Sequence, residues 1–287
     1  MWKSTTKTAP SRRSARGRLR AARVAGTAAT ALLATALGTS PARAINGGEE
    51  VTKPYSFMAS MQSKKDSGQI CGGSLIAPTW VLTARHCVFD RDGKPIDTQD
   101  KQVRVGSLDR TGGGEVRGIA QVVSAPDGAG DADGLGTDLA LLKLDAPVEA
   151  TPVDLPEKRP GVGTRVRILG WGDHELPQKP GDPFPDPPTM LRRLDSSVVT
   201  SRRCDGPDGK YIADKEFCVA TTPVGESARA GDSGGPVLVK GRCGWTLGGV
   251  VSRVGWFFDG RERPDGIDVS VADHLDWIRS TLSGPRR

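Results

Sequence analysis

The stretch Gly231-Asp-Ser-Gly-Gly-Pro-Val-Leu-Val-Lys240 decides how the rest of this chain is read. A serine among glycines marks a tight turn, and the element after that turn separates two architectures: a helix belongs to an α/β protein, a strand to an all-β one. Pro236 followed by Val-Leu-Val reads as a strand, because β-branched residues suit a pleated backbone and proline is tolerated at a strand's first position. The same pattern extends in both directions. Short apolar runs, several of them with β-branched residues, such as SFMASMQ (56–62), TWVLTA (79–84), LALLKL (139–144), RVRILGW (165–171) and TLGGVVS (246–252), alternate with Gly, Pro and Asp clusters. Only the end has helical spacing, through Val271, Leu275, Ile278 and Leu282. The expected fold class is all-β.

Residues 1–44 carry nine Lys or Arg and no acid, with an apolar run from Val24 to Gly38 and small residues ending at Ala44. That is the pattern of an export signal. Arg12-Arg13 suits twin-arginine export while Ala15 does not, so both export routes stay open. No later run reaches the roughly 18 apolar residues of a membrane span. Removing nine of the 40 basic residues leaves 31 against 34 acids, and no Lys/Arg block interleaved with aromatics follows Ile45. Nucleic acid and membrane are therefore not expected as partners.

All five cysteines, Cys71, Cys87, Cys204, Cys218 and Cys243, follow the leader, where disulfides are permitted, and none has zinc-site spacing. Asp127, Asp131 and Asp133 lack the ligand spacing and flanking helices of a calcium loop. No metal or cofactor is expected. The proline-rich run 146–163 divides the strands into two groups, with a boundary set near Glu157. Segments 127–136 and 174–188 read as exposed loops.

Three histidines limit any imidazole chemistry to few candidates. His86 ends the run WVLTARHC, Asp138 enters the run DLALLKL, and Ser233 lies in GDSGGP. A serine hydroxyl becomes a nucleophile when a neutral imidazole takes its proton, and a buried carboxylate holds that imidazole in the right tautomer. Glycine at 231 lets the Gly231 and Ser233 N–H groups aim at a developing oxyanion. The pattern also fits the Gly-x-Ser-x-Gly elbow of α/β-hydrolases. That elbow needs a helix after the serine and its acid and histidine later in the chain. A non-catalytic binding protein on the same scaffold would normally have lost one of the three residues.

Those segments, with INGG at Ile45, CGGSLI, GWG at Gly170, GVVS at Gly249 and HLDWI near the end, resemble the chymotrypsin/trypsin family of serine peptidases from Ile45 to about Leu282. The resemblance implies two packed six-stranded antiparallel Greek-key β-barrels, residues 45–157 and 158–287, the second ending in a helix. It implies an exported, monomeric endopeptidase acting on peptide or protein substrates through an acyl-enzyme. His86 would be the general base, Asp138 its orienting carboxylate, Ser233 the nucleophile, Gly231 and Ser233 the oxyanion hole, and Ser252 a support behind Asp138. It further implies disulfides Cys71–Cys87 and Cys204–Cys218, leaving Cys243 unpaired.

The chain also departs from the family. Arg229 replaces a half-cystine beside the nucleophile, Ser227 falls at the base of the substrate pocket, and Arg253 and Val254 replace a tryptophan and a glycine along its edge. Gly266 begins the opposite wall, and Glu226 and Asp268 are the acids nearby. These departures imply a P1 preference that is broad or shifted from strict Arg/Lys, with Glu226 or Asp268 as the acids that would have to supply charge. Finally, the family's freed N-terminal residue, here Ile45, would pair with Asp232. Ala44 completes a small-x-small cleavage pattern, so signal removal itself would activate the enzyme; the alternative is an earlier cut near Ala36 with a short pro-segment trimmed by another protease.

Overall fold

The structure is a computed structural model that describes residues 45, 48–90, 92–126, 136–173, 186–205, 211–221, 226–241, 244–254 and 265–284. The leader, most of both expected loops and Cys243 lie outside these residues.

In chain order the strands are β1 (Glu49–Glu50), β2 (Met58–Ser63), β3 (Gln69–Ala77), β4 (Trp80–Thr83), β5 (Lys101–Val105), β6 (Glu115–Arg117), β7 (Ile119–Ser124) and β8 (Ala140–Leu144). They continue with β9 (Arg165–Gly170), β10 (Arg192–Val199), β11 (Glu216–Val219), β12 (Pro236–Lys240), β13 (Trp245–Val254) and β14 (Gly266–Ser270), before helix α1 (Leu275–Ser283). Pro236 opens β12, so the decisive stretch is a turn followed by a strand.

The second sheet runs β10-β11-β14-β13-β12-β9, and β9 pairs back to β10, which closes a six-strand barrel with β1 added along β10. The first sheet runs β6-β5-β2-β3-β4-β8-β7. Its two outer strands are halves of one segment bent at Gly118, so the sheet curls round on itself. Gly118 N–H donates to Asp145 Oδ2 at 3.0 Å, and a Cβ there would come 2.6 Å from that oxygen. The two-barrel expectation is thus met by one barrel closed through strand pairing and one curled through a bend.

The core is shared. Leu75, Leu82, Leu141 and Val153 from the first half pack with Leu238, Val250, Val269 and Ile278 from the second. A smaller cluster inside the closed barrel holds Ile45, Val166, Ile168, Val237 and Val251. Removing apolar surface from water is the main force on both. Trp171, 1% exposed, donates from Nε1 to Leu108 O at 3.0 Å and ties the two sheets. At Gly72 the sheets meet backbone to backbone, since a Cβ there would come 2.8 Å from Gly235 Cα. The helix follows a 3₁₀ turn at Ala272–His274 and buries Leu275 and Ile278. Disulfides join Cys71 to Cys87 and Cys204 to Cys218.

Candidate active site

Strand pairing brings His86 and Asp138 together. Thr83 at the end of β4 faces Ala140 at the start of β8, so the chain leaving β4 runs beside the chain entering β8. His86 lies on the first of these, in a 3₁₀ turn tied to β3 by Cys71–Cys87, and Asp138 lies on the second. His86 Nδ1 is 2.8 Å from Asp138 Oδ2, and the His86 backbone N–H donates to Oδ1 at 2.9 Å. An ionised carboxylate only accepts, so Nδ1 carries the proton and Nε2 keeps its lone pair. The ring is 46% exposed while Asp138 is buried.

Ser252 completes this line through a bulge. In the β13–β14 ladder Val251 faces Asp268 and Arg253 faces Ile267, which leaves Ser252 as the extra residue. Bulges re-aim side chains, and here the Ser252 hydroxyl donates to Asp138 Oδ2 at 2.6 Å. Burial raises the Asp138 pKa, but the His86 and Ser252 hydrogen bonds outweigh it and hold the carboxyl below its ordinary value. Burial lowers the His86 pKa, yet the Asp138 bond and charge leave the imidazole above its ordinary value.

Ser233 reaches the same place from the closed barrel. Gly234 has φ +78°, and a Cβ on it would come 2.6 Å from Gly72 O and 2.9 Å from Ala84 N, so its turn nests against the chain two residues before His86. Gly72 N–H donates to Ser233 O at 2.8 Å. Among the described residues no hydrogen bond joins Ser233 Oγ to His86, a looseness common before substrate arrives.

The N–H groups of Gly231 and Ser233, the expected oxyanion donors, are set from behind. Ala230 O accepts Asp173 N–H at 2.8 Å and Asp232 O accepts Gly235 N–H at 2.9 Å, which turns the Gly231 and Ser233 N–H groups the opposite way. Neither N–H donates to any group among the described residues. Gln69 Nε2, itself held through Ser60 and Gln62, donates to Gly231 O at 3.1 Å.

Asp232 is fully enclosed. It accepts Gly172 N–H and Arg229 N–H, each at 2.8 Å, and burial pushes its carboxyl up to about 7. Gly172 leaves room for it, since a Cβ there would come 2.6 Å from Oδ2. Ile45 is also fully buried, in the closed barrel's cluster, but its nitrogen is an amide while Ala44 precedes it.

The residues expected to line the substrate pocket are brought together in part. Val254 faces Gly266 across the β13–β14 ladder, and Ser227 is half-buried. Arg253 turns its guanidinium onto Glu216, a buried acid that sequence reading did not single out. Asp268 is 2% exposed, its Oδ2 has no hydrogen-bond partner among the described residues, and burial pushes it up to about 8. Cys71, His86 and Cys87 form a close group, but the two sulfurs are bonded to each other and are not thiolate ligands.

Residues 45–278 match the family model described as Trypsin. Trypsin-3 of Salmo salar is 33% identical over 247 residues, covering 83% of this chain and 93% of that protein. Kallikrein-12 of Homo sapiens is 33% identical over 216 residues, covering 74% of this chain and 80% of that protein. Among solved structures, neuropsin, a serine protease expressed in the limbic system of mouse brain, superposes with a TM-score of 0.65. It is 24% identical and spans 82% of this chain and 98% of its own, a likeness of fold.

Proposed function

We propose how this chain, which belongs to the trypsin family of serine endopeptidases, carries out peptide-bond hydrolysis: Ser233 is the nucleophile, His86 the general base and Asp138 the carboxylate that orients it. The Ser233 hydroxyl attacks the scissile carbonyl as His86 Nε2 takes its proton. The C–O bond forms, and the carbonyl electron pair moves to oxygen, where the Gly231 and Ser233 N–H groups hold the negative charge. The intermediate collapses, the C–N bond breaks, and His86 returns the proton to the leaving amine. Water then repeats the sequence on the acyl-Ser233 ester. Asp138 stays ionised throughout and Ser252 holds it from behind.

The observation that carries this reading is the unbroken line from Ser252 through Asp138 to the exposed edge of His86, beside a turn with two unengaged N–H groups. An organophosphonate probe tests it. One equivalent should attach to folded protein at Ser233 and none to the Ser233→Ala variant, whose kcat should fall by roughly 10⁶. Labelling elsewhere, or activity retained by Ser233→Ala, would reject the assignment.

Around this centre, Ser227, Val254 and Gly266 form the P1 pocket, with Arg253 at its edge, and a serine at its base favours broad P1 selection. The two barrels meet near Glu157. The protein is exported, works as a monomer away from membranes and needs no cofactor; no described helix is long and apolar enough to cross a membrane. Cleavage after Ala44 frees the Ile45 amino group to pair with Asp232 and set the oxyanion turn. That pairing raises the ammonium pKa above its unfolded value of about 8. Its contribution is present below that value and lost as pH rises through the folded one.

A further inference from the structure

Glu216 is wholly buried on β11, and no step above uses it. Its carboxylate accepts Gly136 N–H at 2.9 Å and Ile212 N–H at 2.8 Å, while Arg253 forks onto both oxygens at 2.5 and 2.9 Å. Two of these donors flank Asp138. Gly136 precedes it by two residues on the loop entering β8. Arg253 directly follows Ser252, whose hydroxyl donates to Asp138 Oδ2 at 2.6 Å. One carboxylate of the closed barrel thus grips both the chain that carries Asp138 and the chain that carries its hydroxyl donor. Gly136, at φ +74°, packs so tightly that a Cβ would come 3.0 Å from Ile212 Cγ2, and Ile212 is tied to the same carboxylate.

A buried ion pair is weak ground for stability, because desolvation offsets much of its attraction. What a forked Arg–carboxylate contact does supply is direction. We propose that Glu216, acting through Gly136 and Arg253, is a positioning residue that fixes Asp138 against His86. The proposal rests on the reading of Asp138 as the orienting carboxylate. Around Glu216 stand Arg253 on β13, Asp268 on β14, and Tyr211 and Arg159, which both donate to its backbone carbonyl.

Two variants test it in the full chain, Glu216→Gln and the double change Glu216→Met with Arg253→Met, which removes the charges and keeps an apolar filling. Against active-site-titrated wild type, kcat should fall between about 10- and 100-fold, the cost of a misplacement near 1 Å. The acid limb of kcat/KM should move to lower pH as His86 loses part of the influence of Asp138. The downfield proton resonance of the His86 Nδ1–H bond should shift or broaden without substrate. That last measurement is independent of turnover, so a wild-type protein that hydrolyses nothing sinks the proposed function and still tests the clamp. If either variant folds with kcat within about twofold of wild type and an unmoved resonance, the positioning role is wrong. If neither variant folds while wild type does, Glu216 serves stability alone and the proposal falls too.

Discussion

Asp138, at the seam between the two sheets, and Asp232 and Asp268, inside the closed barrel, are all buried acids, yet they titrate in opposite directions. Asp138 lies below its ordinary value, whereas Asp232 and Asp268 rise to about 7 and about 8. Burial raises all three. At the seam, one side chain from each sheet outweighs it, His86 from the first and Ser252 from the second. Among the described residues, Asp232 accepts only backbone N–H groups and one Asp268 oxygen has no partner. A buried acid's charge is thus decided by which donors the topology brings to it. Asp138 is held as an anion by its donors, while the proposed Ile45 ammonium would be the cation that does the same for Asp232.

The sharpest way to break this contrast is Asp138→Asn, which should lower kcat by roughly 10⁴ through loss of the correct His86 tautomer. The influences that raise His86 both come from Asp138, so the acid limb of kcat/KM should also drop below its wild-type position. An unmoved limb would mean that Asp138 does not set His86.

A protein that begins with a methionine retained before Ile45 should fold but lose about 10²- to 10³-fold in kcat, the scale of one missing oxyanion donor. Full activity of that form in a peptide assay would remove Ile45 from the machinery.

Smaller in effect is Asp268→Asn. A carboxyl whose folded pKa is raised stabilises below its unfolded value, near 3.9, and that contribution is lost as pH climbs toward the folded value of about 8. Wild type should therefore lose stability over that window by an amount on the order of a few kcal/mol, and the variant should lose less. Thermal melts at both ends of the window decide it. Parallel curves would mean that Asp268 is ionised and paired.

Most of the fold was legible where apolar runs stood between Gly, Pro and Asp clusters, as in β2, β4, β8, β9, β12 and β13. β6, β11 and β14 were not, because they are short or have an acid where an apolar residue is expected: Glu115, Glu216 and Asp268. Glu216 becomes intelligible only beside Arg253, 37 residues away along the chain. His86, Asp138 and Ser233 stood out because their chemistry dictates both residue type and setting, whereas Ser252 was reached only through the family resemblance. The groups that hold the oxyanion turn did not, since a backbone N–H at Asp173 leaves no mark in a sequence, and Gln69 resembles any polar strand residue.

The tied peptide planes behind Gly231 and Ser233 also bear on how such a chain can drift over generations. The two N–H groups belong to the main chain, so among substitutions only proline would delete either of them, and the exposed Ala230 side chain beside them is open to almost any replacement. Brittleness is moved to Gly72, Gly172 and Gly234, where a single added carbon has nowhere to go. Most of the surface around the reaction can therefore be rewritten to suit new substrates while a few carbon-free positions keep the reaction itself heritable.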